Sequence, residues 1–575
     1  MNRSSALLLA FVLLNGCQAW PPGKHQDTVA VQDSTPKPAE KPQVYGSFTE
    51  DTVFSLLTAE LAGQRNRFDI ALGNYVDQAN KTQDPGVSER AFRIAEYVGA
   101  DQASLDTSLV WAKNAPKDLD AQRAAAIQLA RNGRYDESMV YMEKVLQGQG
   151  DTHFDFLALS AADTDQDTRN GLLQSFDRLL AKYPDNNQLI FGKALLLQQD
   201  GDNQGSLKLL EDHPPQNGEI APILLHARLL QLLDRGKEAL PLLEKSIRQN
   251  PDDKRLRLTY ARMLVEQNRM ADAKVQFASL VQQYPEDDEL RYSLALVCLE
   301  AKAWDEAASY LQELVDRGAH VDSAHLNLGR IAEEKGDPQG ALAEYEQVGG
   351  GNDYLPAQLR QADILMASGR VAEARKRLAA AREAQPDYTI QLYLVEAETL
   401  ANNDQQEAAW QLLAKALTLY PDDLNLLYTR AMLAEKRNDL TQMEADLRAI
   451  IKREPDNAMA LNALGYTLSD RTTRYSEAKD LIERAHKINP DDPAVLDSLG
   501  WVNYRLGHLN EAETYLRKAL DSFPDQEVAA HLGEVLWANG KQREARQVWA
   551  KYLKEQPESP TLRNTVLRLT GSETL

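Results

Sequence analysis

Small residues return along this chain at one interval. From residue 220 onward alanine recurs at Ala239, Ala273, Ala307, Ala341, Ala374 and Ala408, and after an interruption at Ala478, Ala512 and Ala545. Prolines keep the same step at Pro251, Pro285, Pro386, Pro421, Pro455, Pro490, Pro524 and Pro557. A third series precedes the alanines: Ala261, Ala295, Gly329, Ala362, Gly500 and Gly533. Large apolar residues fill the intervals at helical spacing, and the common period is roughly 34 residues. This pattern predicts a repeating pair of antiparallel helices, A then B. Small residues at unit positions 8 and 20 let the two helices approach closely, and bulkier ones around them fill the space. Gly336, Gly369, Gly507 and Gly540 fall between the helices, where a left-handed residue closes helix A. Proline at position 32 cannot continue helix B and ends it.

In the unit 493–525, Leu496, Leu499, Gly500, Gly507, Leu509, Ala512, Leu516, Ala519 and Pro524 resemble the tetratricopeptide pattern in order. Units 322–354 and 458–492 are similar to it almost as closely. Met443 stands where alanine is expected, and Arg471-Thr472-Thr473-Arg474 adds one residue to a turn; both read as local repacking. Upstream the pattern is degenerate but traceable in units near 187–219, 153–186, 119–152, 85–118 and 52–84, where Ser206, Ser138, Ser104 and Ala71 take the small position. The expected fold is all-α, a right-handed superhelical solenoid of about fifteen tetratricopeptide-type helix pairs. Residues 48–219 hold the degenerate repeats, 220–559 the regular ones, and 560–575 a capping helix and tail.

The N-terminus reads as an address. Arg3 and the apolar stretch from Ala6 to Leu14 form a secretory signal over 1–16, too short to span a bilayer. Leu14-Asn15-Gly16-Cys17 resembles a lipobox, which implies lipidation of Cys17. Gln18 and Ala19 follow instead of an aspartate that would retain a lipoprotein in the inner membrane, so the expected address is the periplasmic face of the outer membrane. Residues 17–47 carry Pro21, Pro22, Pro36, Pro38 and Pro42 and read as a tether with a reach of roughly 30 Å.

Charge narrows the partners. With 86 acidic against 64 basic residues the chain carries −22, a surface that repels phosphate backbones and anionic lipids. Nucleic acid is excluded as a partner, contact with the membrane is expected through the lipid anchor alone, and a folded protein fits best. No catalytic motif is present: the histidines are scattered, and His320 and His325 straddle a helix start. Gly349-Gly350-Gly351-Asn352 lacks the lysine and preceding strand of a phosphate-cradling loop. Cys298 occupies an interior position and reads as a small buried hydrophobe. The acidic residues fall on helical positions expected to face solvent. The chain is therefore expected to be no enzyme and to use no cofactor, no metal and no small-molecule substrate.

In tetratricopeptide arrays helix A lines the inner groove through positions 2, 5, 9, 12 and 13. Position 5 supplies Leu224, Leu258, Tyr292, Leu326, Leu359, Tyr393 and Tyr428 here. Position 9 supplies Met432, Tyr466 and Trp501, and position 12 supplies Tyr504 and Trp537; Arg228, Arg262, Arg330 and Arg505 are interleaved. Such aromatic and arginine enrichment is typical of protein interfaces, and Trp501, Tyr504 and Trp537 are expected to form one patch.

Taken together, lipobox, proline-rich tether and uninterrupted repeat array resemble the outer-membrane lipoproteins that act as adaptors of a periplasmic carboxyl-terminal processing protease. That resemblance implies partners of two kinds, the protease and its protein substrates, which in such systems are peptidoglycan hydrolases. An envelope-assembly lipoprotein that regulates a peptidoglycan synthase or pilots a secretin is the alternative.

Overall fold

The computed structural model describes residues 48–215 and 218–572, so Cys17, the signal segment and the tether lie outside the described residues. These residues form thirty-one α-helices and two 3-10 turns, with no strand among them. They divide into two compact units, one up to His213 and one from Pro214 on.

In the first unit the helices are α1 (Glu50–Gln64), α2 (Phe68–Thr82), α3 (Pro85–Val98), α4 (Asp101–Asn114), α5 (Leu119–Arg131) and α6 (Tyr135–Gln147). The short α7 (Phe154–Ser160), the longer α8 (Gln166–Lys182), α9 (Asn187–Gln199) and α10 (Asn203–Asp212) complete it. Each odd helix is an A helix and each even one a B helix.

The second unit runs through α11 (Ile220–Leu232), α12 (Gly236–Gln249), α13 (Lys254–Glu266), α14 (Met270–Gln283), α15 (Asp288–Glu300) and α16 (Trp304–Arg317). It continues with α17 (Val321–Glu334), α18 (Pro338–Glu346), α19 (Tyr354–Ala367), α20 (Val371–Ala384), α21 (Thr389–Asn402) and α22 (Gln406–Leu419). Last come α23 (Leu424–Lys436), α24 (Leu440–Arg453), α25 (Ala458–Arg471), α26 (Tyr475–Ile488), α27 (Pro493–Arg505), α28 (Leu509–Ser522), α29 (Gln526–Ala538), α30 (Gln542–Glu555) and α31 (Pro560–Thr570). The final helix packs on α29 and α30.

The fourth residue of almost every B helix is where the pair closes. Ala71, Ser138, Ser206, Ala239, Ala273, Ala307, Ala341, Ala374, Ala478, Ala512 and Ala545 are all completely buried there. Ser138 and Ser206 donate hydrogen bonds of 2.7 and 2.6 Å to the carbonyls of Ala126 and Ala194 on the facing A helix. A serine thus satisfies its hydroxyl at the contact, which accounts for its replacing alanine in the degenerate units. One expectation needs correction: in α22 the position belongs to Ala409, which is fully buried, and Ala408 is only half-buried. The step from Ala374 is one residue longer than the constant interval assumes, and a 3-10 turn at Pro386–Tyr388 precedes α21.

Turns follow from local chemistry. Left-handed residues lie between A and B helices at Gly133, Gly201, Gly336, Gly369, Gly507 and Gly540, but Asn66, Asp234, Asn268, Lys302, Asp404 and Asn438 adopt the same conformation. The lengthened turn before α26 instead places Thr472 in an extended conformation. Two residues after each of Pro251, Pro285, Pro421, Pro455, Pro490 and Pro557 stands an N-cap (Asp253, Asp287, Asp423, Asn457, Asp492 and Ser559) whose side chain accepts a backbone N–H of the next A helix. The proline that ends one unit is therefore coupled to the residue that starts the next.

Candidate partner-binding surface

Successive A helices of the second unit stand side by side, with α17 against α19, α19 against α21, α25 against α27 and α27 against α29. Positions that do not pack on helix B therefore line up from unit to unit. Leu224, Leu258, Tyr292, Leu326, Leu359 and Tyr428 form a half-buried row at position 5. Burial holds the Tyr292 and Tyr428 hydroxyls protonated by raising their pKa. The Tyr292 ring stacks on His320 at 4.5 Å.

Tyr393 departs from this row. The longer step before α21 shifts it by one residue, so Leu394 takes position 5 and Tyr393 is buried, edge-on to Tyr420 with the Arg382 guanidinium 4.2 Å from its ring centre. It is a packing residue with no open face.

Position 9 changes character along the array. Arg228, Arg262 and Arg330 are exposed, Met432 and Tyr466 are half-buried, and Trp501 is only 6% exposed. Trp501 packs against Tyr504 at 5.2 Å and stacks on His531 at 4.2 Å. His531 Nδ1 lies 3.0 and 3.1 Å from the two Asp497 oxygens. The Tyr466 hydroxyl donates to Glu527 at 2.9 Å, reaching from α25 past α27 to α29. Tyr504 donates to Glu534 at 3.2 Å, and Arg568 of α31 donates to the same carboxylate at 3.0 Å. Four consecutive A helices are thereby tied together by one polar and aromatic cluster.

Burial alone would lower the pKa of His531, but the carboxylates of Asp497, Glu527 and Glu534 outweigh it and hold the pKa above the usual value. The ring of Trp501 beneath it adds a cation–π contact in the protonated state. Tyr466 is pushed the same way, by burial first and then by the charge of Glu527.

Of the expected patch, Trp501 and Tyr504 are together. Trp537 stands instead against Trp549 of its own B helix at 5.8 Å, with Arg546 5.2 Å over its ring. Arg505 donates to the Tyr475 hydroxyl at 2.8 Å and lies over that ring, tying α27 to α26.

The sequence reading missed the carboxylates. Asp497, Glu534, Glu396 and Asp446 are buried, contrary to their assignment to solvent-facing positions. Each has a partner: Asp497 has His531, Glu534 has Arg568, Glu396 has Arg375 and Arg382 at 2.9 and 2.8 Å, and Asp446 has Arg430 at 2.7 Å. A positional signal was available for Asp497 alone, which occupies position 5, where most other units place leucine or tyrosine. Among the described residues no group of three His, Cys, Asp or Glu side chains could hold a metal ion. His320 pairs with Glu289, and His325 pairs with Glu344. Cys298 is fully buried, and burial pushes its thiol up to about 11, away from nucleophilic use. What the surface offers is aromatic faces, leucine side chains and oriented charges, the means of binding another chain.

Family models and a full-length relative point the same way. Tetratricopeptide repeat models match residues 233–297, 264–331 and 332–398, and a second such model matches 428–496 and 497–560. A TPR repeat-containing protein of Pseudomonas aeruginosa is 68% identical over 574 residues, covering 100% of this chain and 97% of that one. The bacteriophage adsorption protein A of Escherichia coli is 33% identical over 122 residues, 21% of this chain and 12% of that protein. Among solved structures, a thermophilic TPR protein of Thermus thermophilus is 23% identical with a TM-score of 0.29, covering 32% of this chain and 99% of that chain. The A-and-B helix pairs of the structure, the matched repeats and the full-length relative together show that this chain belongs to the tetratricopeptide repeat family.

Proposed function

We propose that this protein is a membrane-tethered adaptor, lipidated at Cys17 and held on the periplasmic face of the outer membrane. In this reading it brings a periplasmic carboxyl-terminal processing protease together with peptidoglycan hydrolases. Tetratricopeptide repeats build protein-binding scaffolds, and an adaptor needs two docking surfaces on one such scaffold. The observation that carries the reading is the exposed apolar face of α1, in a different unit from the A-helix row. Val53, Phe54, Leu57 and Leu61 lie on that face at 43%, 73%, 59% and 53% exposure. A free protein rarely leaves so much apolar side chain uncovered on one helix.

We assign the protease to the segment 52–120 and the substrate to the A-helix face from about Tyr292 to Trp537. Replacing Phe54, Leu57 and Leu61 together by serine should abolish capture of the protease yet leave capture of the hydrolase intact. In cells, loss of the protein should make one or more peptidoglycan hydrolases accumulate. Unchanged hydrolase levels with a pilus or secretion defect would favour a secretin pilot. Labelling with a fatty acid analogue should mark the wild type and not Cys17→Ser; labelling of the variant would refute the anchor.

A further inference from the structure

Within α27, unit positions 3, 6 and 10 are Val495, Ser498 and Val502, and all three are buried. Val495 and Val502 belong to one core with Leu481 and Ala485 of α26, so the preceding unit covers this side of the helix. In α1 the same positions are Phe54, Leu57 and Leu61, and all three are exposed. α1 packs on α2, and no described helix precedes it. The uncovered side is distinct from the groove side, whose positions 5, 9 and 12 are Leu56, Glu60 and Gly63.

The open face has the pattern of a helix that pairs with another helix. Glu50, Val53, Phe54, Leu57, Leu61 and Gln64 are all exposed, and at 3.6 residues per turn they fall within an arc of about 100°. Glu50, Leu57 and Gln64 stand seven residues apart, the spacing of a helix–helix seam. The face is also complementary to itself. In an antiparallel pair centred on Leu57, that residue meets Leu57 of a second copy and Val53 meets the second copy's Leu61. Glu50 then meets the second copy's Gln64, with Arg65 about 1.5 Å further along the axis. Charge agrees with this register. Glu50, Asp51 and Arg65 are exposed, and none takes part in an ion pair among the described residues. Arg67 differs, holding Asp69 at 2.8 Å. Glu60, beside the seam, is turned away and accepts from Tyr75 at 2.5 Å and from Arg90 at 3.1 Å.

We propose that this face binds a second copy of the chain, two α1 helices packing antiparallel about a twofold axis at Leu57, so that each first unit caps the other. The proposal rests on the adaptor reading in one respect: the protease assigned to the same face displaces the second copy when it docks. One helix per copy makes a contact at the low end of stable interfaces, about 1,200 Å² in total. The dimer is therefore reversible, with a Kd on the order of 10 µM.

The test uses the full chain in mild detergent, oxidised with copper phenanthroline, with the wild type as control. Leu57→Cys should give a disulfide-linked dimer. Val53→Cys alone should not, since Cα atoms more than about 7 Å apart cannot be bridged, and adding Leu61→Cys to it should restore the dimer. In sedimentation equilibrium Glu50→Arg should weaken association about fivefold, and Glu50→Arg combined with Arg65→Glu should recover it, both with unchanged circular dichroism. A wild type that stays monomeric at about 100 µM, ten times the expected Kd, or equal crosslinking of Leu57→Cys and Val53→Cys, would overturn the proposal. So would a monomer that floats with phosphatidylglycerol vesicles through Phe54, Leu57 and Leu61. No protease is present, so the dimer can fail while the triple serine variant still loses protease capture, and the reverse.

Discussion

Trp501 and His531 illustrate how one position can serve two ends. At position 9 Trp501 is one of a series that includes exposed arginines, yet its own ring is enclosed by Tyr504 and His531. Trp501→Ala should therefore lower stability by about 3 kcal/mol or more, the range for a core aromatic truncation, seen as early melting of the C-terminal helices. Tyr428, half-buried at position 5, is the better probe of binding. Its alanine variant should leave melting nearly unchanged and weaken substrate capture if that row is the docking face. His531 adds a pH dependence. Its pKa is raised on folding, so its contribution is complete below the unfolded value of about 6.5 and is lost as pH rises through the folded value. Thermal stability of the wild type should fall on going from pH 6.5 into the alkaline range, and Asp497→Asn should flatten that slope. A slope unchanged in Asp497→Asn would show that the ion pair is not its source.

Helix pairs are legible in the sequence because each depends on a few residues of fixed size. Gly533 is one of these: a Cβ there would sit 1.9 Å from Nε1 of the fully buried Trp549. Gly533→Ala should cost about 1–3 kcal/mol through overpacking, and the double variant with Trp549→Phe should recover part of it. Gly329 faces Tyr345 and Gly500 faces Leu516 in the same manner. Removing an N-cap, as in Asp423→Ala, should cost about 1 kcal/mol by orphaning the Leu426 N–H. The small-residue, glycine and proline registers carried the all-helical architecture because sterics act at single positions. They could not locate Tyr393 and Ala409, because a one-residue change in a turn leaves every residue type plausible. Nor could they reveal the buried carboxylates, since an acid in a helix looks the same whether water or an arginine of the next helix faces it.

At the scale of the molecule, each repeat borrows stability from its neighbours. Ion pairs reinforce this coupling across the unit boundary, as Arg474 does with Glu444 at 2.8 Å and Lys541 with Glu513 at 2.7 Å. Raising the salt concentration should lower melting only modestly, because most such pairs are exposed and each is worth about 1 kcal/mol or less. The first unit lacks some of the regularity of the second, with a seven-residue α7 and a serine at several helix contacts. Hydrogen exchange should therefore be faster around α7 and α8 than in α25–α29. Equal protection in both would show that the irregular helices are as well coupled as the regular ones.

The bond from Tyr466 to Glu527 has a mechanical meaning. A helical repeat array pulled along its length extends like a spring, each unit rotating slightly on the next. A link that skips a unit acts as a stop on that rotation, and here it joins α25 to α29 across α27. Extension under load should then be taken up before Ala458, with the last units moving as one stiff block. Force spectroscopy of the full chain should show this block yielding in a single late step, and Tyr466→Phe should divide that step in two.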